Sequence, residues 1–239
     1  MKLEDTVGLI REASSVVVFT GAGVSAESGI PTYRSGGSQW TAEQFEKYAN
    51  PHGYRAHLPA PYEWYRSRAA AVAAAQPNAG HFAIARLAAR VPALVVVTQN
   101  VDGLHLRAGS TDVIELHGNL REARCDACDT RFAWRDAPVK PTCTSCDGML
   151  RPDVVMFEEM LREPDLRRAR AVAENADLLI SVGTSNVVWP ARELPLLAHE
   201  SGAWVVIVNT DLVGQPRGDR MRHIQGRGGE VLPALLAAL

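Results

Sequence analysis

Four cysteines pose the first chemical question. Cys125 and Cys128 form one Cys-x-x-Cys pair, and Cys143 and Cys146 form another, with residues 129–142 between them. Each pair can wrap a metal in a tight knuckle, and four thiolates together close a tetrahedral zinc site. A closed site leaves no position for water, so one structural zinc is expected. A redox dithiol would need one such pair, not two. A nucleic-acid-binding ribbon is disfavoured by balanced charge: Arg121, Arg124, Arg131, Arg135 and Lys140 stand against Glu122, Asp126, Asp129, Asp136 and Asp147.

The second pattern is Gly21-Ala22-Gly23-Val24-Ser25-Ala26. It follows an apolar β-branched run, Ser15–Thr20, that reads as a buried strand. Gly-x-Gly-x-x-Ala after a strand can cradle a dinucleotide: Gly21 for the tight turn, Gly23 for close approach to the pyrophosphate, Ala26 for close packing of the following helix. Ser28 to Arg34 continues with an aromatic, Tyr33, and a cation, Arg34, which suggests a segment closing over a cofactor. Other apolar runs also end in polar residues, at Thr98-Gln99-Asn100, His117-Gly118-Asn119, Gly183-Thr184-Ser185 and Asn209-Thr210-Asp211. Ligands of open α/β sheets bind beyond the carboxyl ends of the strands, so these ends are candidates for one built site.

The elements that must position these residues alternate. Helices are expected over 3–13, 60–76, 81–90, 164–175, 191–201 and 230–239. Strands are expected over 15–20, 93–98, 113–116, 177–182 and 203–208. Residues 31–59 read as a mobile cofactor loop with one short helix near Thr41–Tyr48. Alternation implies a parallel sheet with helices on both faces. The expected class is α/β: a Rossmann-like sheet of residues 1–30, 81–119 and 153–239. A small helical and cofactor-loop module (31–80) and an inserted zinc ribbon (120–152) complete it.

Taken in order, GAGVSAESGIPTYR, TQNVDGLH, ELHGN, the paired Cys-x-x-Cys, GTSNVVWPA and NTD match the motif order of the sirtuins. The sequence resembles a bacterial sirtuin over nearly its whole length. The resemblance implies an NAD-dependent protein lysine deacylase, with NAD and an acyl-lysine side chain of a protein meeting in the cleft. It implies NAD contacts at Gly21, Ala22, Gly23, Arg34, Gln99, Asn100, Val101, Asp102, Gly183, Thr184, Ser185, Asn209, Asp211 and Gly228. It makes His117 the catalytic base, with Asn100 and Asp102 around the nicotinamide ribose and carboxamide, and Val155 and Phe157 on the substrate side. His117 would deprotonate a ribose hydroxyl, and the products would be free lysine, nicotinamide and O-acyl-ADP-ribose. Imidazole, with its reference pKa near 6.5, suits that task.

Three departures from the family pattern stand out, and one of them, Gly228, sits where the family often has a small residue near the adenine and is compatible with it. Tyr33 replaces the usual Phe. Glu158, in Phe157-Glu158-Glu159, replaces a glycine of the strand expected to pair with substrate, so it either favours basic peptides or points to solvent. Tyr65 and Arg68 resemble the Tyr-x-x-Arg signature of sirtuins that remove succinyl and malonyl groups, and the small residues in 32–37 fit a longer acyl chain. A plain deacetylase, a mono-ADP-ribosyltransferase and a silent NAD-binding module remain as alternatives.

The whole chain bounds the rest. It has 239 residues, a net charge of -2 and 46% hydrophobic residues. That near-neutral balance gives no case for nucleic-acid or membrane-surface partners. The acidic, amphipathic start argues against a signal peptide, and no apolar run would span a bilayer. A cytoplasmic monomer is expected.

Overall fold

The computed structural model describes residues 3–31, 41–212, 214, 215 and 217–239. Among them nine strands form two sheets. They are β1 (Ser15–Thr20), β2 (Ala93–Thr98), β3 (Val113–Glu115), β4 (Gly118–Cys125), β5 (Arg131–Ala133), β6 (Leu150–Val154), β7 (Leu178–Val182), β8 (Trp204–Asn209) and β9 (Met221–Gln225). The large sheet has the order β3-β2-β1-β7-β8-β9, and every pairing in it is parallel. The small one, β5-β4-β6, is antiparallel.

The helices are α1 (Leu3–Glu12), α2 (Ala22–Ser25), α3 (Ala42–Tyr48), α4 (Pro51–Ala56), α5 (Ala60–Ala74), α6 (Ala79–Leu87), α7 (Leu104–Arg107), α8 (Glu163–Glu174), α9 (Leu194–Glu200) and α10 (Gly228–Ala237). Among the described residues no helix is long and apolar enough to cross a membrane.

Why the central strands are apolar without alternation is visible in the cores. Successive side chains of a strand point to opposite faces. Val16 and Val18 enter a core shared with Ile10 of α1, Ile84 of α6 and Leu232 of α10. Val17 and Phe19 enter a second core with Leu166 of α8 and Leu194 of α9. Both faces are covered, so each position of β1 after Ser15 is buried. A third core joins Tyr54, Tyr62 and Tyr65 of the 51–74 helices to Trp134, Cys125, Cys143 and Leu150 of the small-sheet region.

The strand order reverses beside β1. Thr20 stands level with Thr98 and Val182, so the carboxyl ends of β1, β2 and β7 open into one crevice.

Four expectations change. The 31–59 stretch carries a second helix, α4, despite its Pro and Gly. Pro51 occupies the first turn, where its missing N–H costs nothing, and the Asn50 side chain accepts from the Gly53 N–H at 2.7 Å. The large sheet has a sixth strand, β9, unread because Met-Arg-His-Ile-Gln lacks an apolar run. It is an edge strand, paired with β8 alone. The helix expected from His81 starts at Ala79, because Asn78 caps the N–H groups of Gly80 and His81. Glu158 is not in a strand: β6 ends at Val154, and Glu158 lies in a turn.

The small sheet is tied to the segment before α8 by one buried carboxylate. Asp153 of β6 is fully buried and pairs with Arg131 of β5 and with Arg162, which precedes α8. Arg124 of β4 adds a third guanidinium at 3.4 Å. Asp153→Ala leaves three clustered cations without their counter-charge. The expected loss of stability in urea unfolding is about 3 kcal/mol, the low end for a broken buried pair because the arginines keep contact with water.

Candidate active site

The crevice is built by packing backbone against backbone. The Gly23 N–H donates to the Gly183 carbonyl at 2.8 Å, and the Gly21 N–H to the Val182 carbonyl at 3.1 Å. A Cβ on Gly23 would stand 2.7 Å from the Gly183 Cα, and one on Gly21 would stand 2.9 Å from the Thr184 Cα. These glycines are therefore required by the loop after β7, a contact within the protein, and not only by a tight turn or a pyrophosphate. Gly183 itself has φ +60°, the left-handed region that glycine adopts freely.

Around that contact lies a cavity of about 530 Å³. Gly23, Gly183, Asn209 and Gly228 line it, as do Glu27 and Arg227. The Asn209 Nδ2 donates to the Thr184 carbonyl at 2.8 Å, and the Gln99 Nε2 to the Thr184 Oγ1 at 2.9 Å. Ala22, Ser185 and Asp211 do not line this cavity among the described residues. Thr32, Tyr33, Arg34 and the small residues to Gly37 lie outside the described residues.

Beyond the cavity runs a buried polar network. The Asn100 Nδ2 donates to the Gly21 carbonyl at 3.1 Å and to the Ser25 Oγ at 3.0 Å. The Ser25 hydroxyl donates to the Asp102 Oδ2 at 2.7 Å. The Asp102 Oδ1 accepts from the Leu104 N–H at 2.9 Å. The His81 Nδ1 accepts from the Asn78 N–H at 3.3 Å, which leaves the Nε2–H to face the Ser25 Oγ at 3.4 Å. The His105 ring lies 4.8 Å from the His81 ring, with its Nε2 2.9 Å from the Thr20 Oγ1. Val101 continues the strand-end backbone, its carbonyl accepting from the Leu120 N–H at 2.7 Å. Sequence reasoning missed Ser25, His81 and His105. A usable signal existed for His81, three residues after the helix cap Asn78.

His117 stands on the neighbouring strand end. Its Nδ1 bonds the Gln99 carbonyl at 2.9 Å, so Nδ1 carries the proton and Nε2 is the basic atom. Nε2 makes no hydrogen bond among the described residues. Burial lowers the His117 pKa from its usual 6.5, against the raising effect of the Gln99 bond, so the ring is neutral at pH 7. The Val155 N–H donates to the His117 carbonyl at 2.9 Å, which fixes the turn carrying Phe157 beside it. Phe157 meets the Phe45 ring at 4.7 Å.

Residues 21–190 match the model of the Sir2 family. The chain belongs to the Sir2 family, the sirtuins. This sirtuin is 45% identical over 232 residues to NAD-dependent protein deacylase 2 of Pyrobaculum aerophilum, covering 95% of this chain and 92% of that one. It is 46% identical over 243 residues to NAD-dependent protein deacylase 1 of Pseudomonas aeruginosa, covering 96% of each. Among solved structures it resembles a Sir2 homologue–NAD complex, with TM-score 0.89, 39% identity and coverage of 98% of this chain and 93% of that one. It also resembles a Sir2 bound to acetylated peptide, with TM-score 0.88, 31% identity and coverage of 100% and 98%.

The sirtuin's metal centre is separate from the crevice. The four sulfurs of Cys125, Cys128, Cys143 and Cys146 lie within 4.8 Å of one another. Cys125 and Cys146 approach to 3.5 Å, and Cys128 and Cys143 to 3.8 Å. A tetrahedron with Zn–S bonds of about 2.3 Å has edges of about 3.8 Å, so the thiols fit zinc. The N–H groups of Ala127 and Ser145 each donate to a sulfur at 3.4 Å, which supports thiolates. Hydrogen bonds from Thr130 bring the Cys128 thiol down to about 6.

Tyr65 and Arg68 stand on α5, in and beside the third core, and neither lines the cavity. The Tyr65 hydroxyl donates to the Tyr48 carbonyl at 3.3 Å. The Arg68 guanidinium lies 5.2 Å over the Trp64 ring and makes no ion pair among the described residues.

Two outcomes follow from this geometry. Cys143→Ser breaks the thiolate set, so zinc content measured by atomic absorption should fall, together with stability and soluble yield. The second concerns acid. Burial holds His81 down to about 4, with Asp102 partly opposing, and His105 down to about 3. Unfolded histidines take up protons near 6.5, but the folded ones do so only below those values. Stability is therefore full above pH 6.5 and is lost as pH falls toward 4. The slope approaches about 1.4 kcal/mol per pH unit for each histidine. Thermal melts against pH should show this fall, and His105→Gln should flatten it.

Proposed function

We propose that this sirtuin removes acyl groups from lysine side chains of proteins with NAD as co-substrate, and that its acyl range extends to succinyl and malonyl groups. NAD supplies the electrophilic ribose carbon and the acceptor for the acyl group, and one water is consumed, so the products are nicotinamide, free lysine and O-acyl-ADP-ribose. One observation carries the reading: His117 is locked through Nδ1 to the Gln99 backbone while Nε2 stays available, and the Gln99 side chain binds Thr184 of the nucleotide loop. The base and the cofactor cleft are thus fixed to one residue.

In this reading Gly21, Ala22, Gly23, Arg34, Gly183, Thr184, Ser185, Asn209, Asp211 and Gly228 hold the ADP-ribose portion. Gln99, Asn100, Val101 and Asp102 surround the nicotinamide end. The neutral His117 takes a ribose hydroxyl proton. Val155 and Phe157 meet the substrate, in keeping with the exposed apolar residues of that turn and of the loop after β7, Phe157, Met160, Val187, Val188 and Trp189. Residues 1–30, 81–119 and 153–239 serve as the NAD-binding unit, 31–80 as its closing module and 120–152 as the zinc ribbon. Zinc takes no part in the chemistry. Cysteines paired for a metal and not for disulfides suit a reducing compartment, and we assign the enzyme to the cytoplasm.

The acidic-acyl preference rests on Arg68. Its guanidinium has no acidic partner among the described residues, so a succinyl carboxylate would meet an uncompensated cation. Such a charge-assisted bond contributes roughly 1.5–3 kcal/mol. The second bond expected from Tyr65 is weakened, since its hydroxyl already faces the Tyr48 carbonyl.

Mass spectrometry of acetyl- and succinyl-lysine peptides incubated with NAD tests the activity. Loss of the acyl group supports it, gain of ADP-ribose on protein would favour transfer, and no change would leave a silent NAD binder. His117→Ala should lower turnover by at least about two orders of magnitude with NAD binding retained. Activity within a few-fold of wild type would remove His117 from the mechanism. Arg68→Met should lower kcat/KM for the succinyl peptide by roughly 10- to 150-fold and barely change the acetyl peptide. Equal losses on both would make the enzyme a plain deacetylase.

A further inference from the structure

The turn after β6 is tied down at three points. The Val155 N–H holds the His117 carbonyl, and the Phe157 N–H donates to the Ala49 carbonyl at 2.8 Å. The Glu159 carboxylate accepts two bonds from Arg151 at 2.6 Å and one from the Met156 N–H at 2.8 Å. Between Phe157 and Glu159 sits Glu158, at φ +71°. That is the left-handed region, where any side chain with a Cβ is disfavoured and glycine is not.

Charge bookkeeping in the turn leaves Glu158 over. Glu159 is matched by Arg151, and Arg162 by Asp153. Glu158 is exposed and its carboxylate makes no hydrogen bond or ion pair among the described residues. The turn therefore presents one unmatched negative charge, next to Phe157 and three residues from the backbone that holds His117. A strained residue in a fixed turn beside a site is where a side chain has a function to justify its backbone.

We infer that Glu158 is a specificity-determining residue, selecting peptides with Lys or Arg beside the acyl-lysine. This rests on the deacylase reading. An exposed carboxylate facing a peptide cation should change kcat/KM by roughly 2- to 5-fold. The effect should fade at about 1 M salt, where charge screening acts within about 3 Å.

The test uses two acetyl-lysine peptides, identical except for Arg or Glu on both sides of the acyl-lysine. They are assayed with the wild type, Glu158→Gln and Glu158→Gly at low and high salt. The wild type should prefer the Arg peptide at low salt, and both variants should lose that preference with an unchanged KM for NAD. Glu158→Gly should also melt roughly 2–4 °C higher, since glycine relieves the positive φ, while Glu158→Gln should melt with the wild type. Equal rates for the two wild-type reactions, or a preference kept by Glu158→Gln, would overturn the inference. So would a marked drop in the melting temperature of Glu158→Gln, which would make Glu158 a structural prop. If no peptide is deacylated, the deacylase reading fails. Fluorescence anisotropy of the same two peptides then decides the charge preference by itself.

Discussion

The contact between Gly23 and Gly183 sets the shape of the cleft. Two loops that leave neighbouring parallel strands, β1 and β7, meet there with no side chain between them. The strand order reverses at that place, so helices cover the sheet on either side and leave the strand ends open. Adding one methyl group at either glycine would force the loops apart. The Thr184 carbonyl and hydroxyl would shift, and with them the bonds they accept from Asn209 and Gln99. The cavity and the orientation of His117 thus depend on one backbone-to-backbone approach.

Behind the cleft most polar groups satisfy one another, while the buried His105 Nδ1 has no hydrogen-bond partner among the described residues. Ser25 can donate once and accept twice, and it does so toward Asp102, from Asn100 and from His81. This is an economical use of a hydroxyl at the crossing of three elements: α2, the end of β2 and the start of α6. Unpaired, each group would be costly to bury. Paired, they hold Asn100 and Asp102 in fixed rotamers at the inner end of the crevice. A network of this kind rigidifies a site because no member can turn without stranding another.

The small sheet is coupled to this site through β6. The cysteines anchor one end of that region, with Cys125 and Cys143 inside the third core. Asp153, with its three arginines, anchors the other end against the segment before α8. The turn from Val155 to Glu159 is the continuation of that strand. The cysteine cluster at one end and the Asp153 group at the other thus fix where β6 runs and where that turn begins.

Much of this was legible in the sequence because it is local. The apolar runs of β1, β2, β7 and β8 announce strands, those of β1, β7 and β8 buried on both faces, and their polar ends announce the crevice. The paired Cys-x-x-Cys spacing announces its metal, since two knuckles need only a few residues each. What stayed hidden depends on partners distant in the chain. β9 is a strand because β8 offers it an edge, and α4 is a helix because Asn50 and Pro51 cap a segment whose composition reads as loop. The glycines Gly21 and Gly23 look like phosphate-binding positions in sequence, which does not show that they also make room for atoms of residues 183 and 184. Ser25, His81 and His105 carry no spacing that joins them; only the packing of α6 and α7 against the β1 loop brings their polar atoms within bonding distance. Sequence fixes which groups are available and which local backbone they prefer. Tertiary structure decides which of them meet, because a buried polar atom must find its partner wherever the fold happens to supply one.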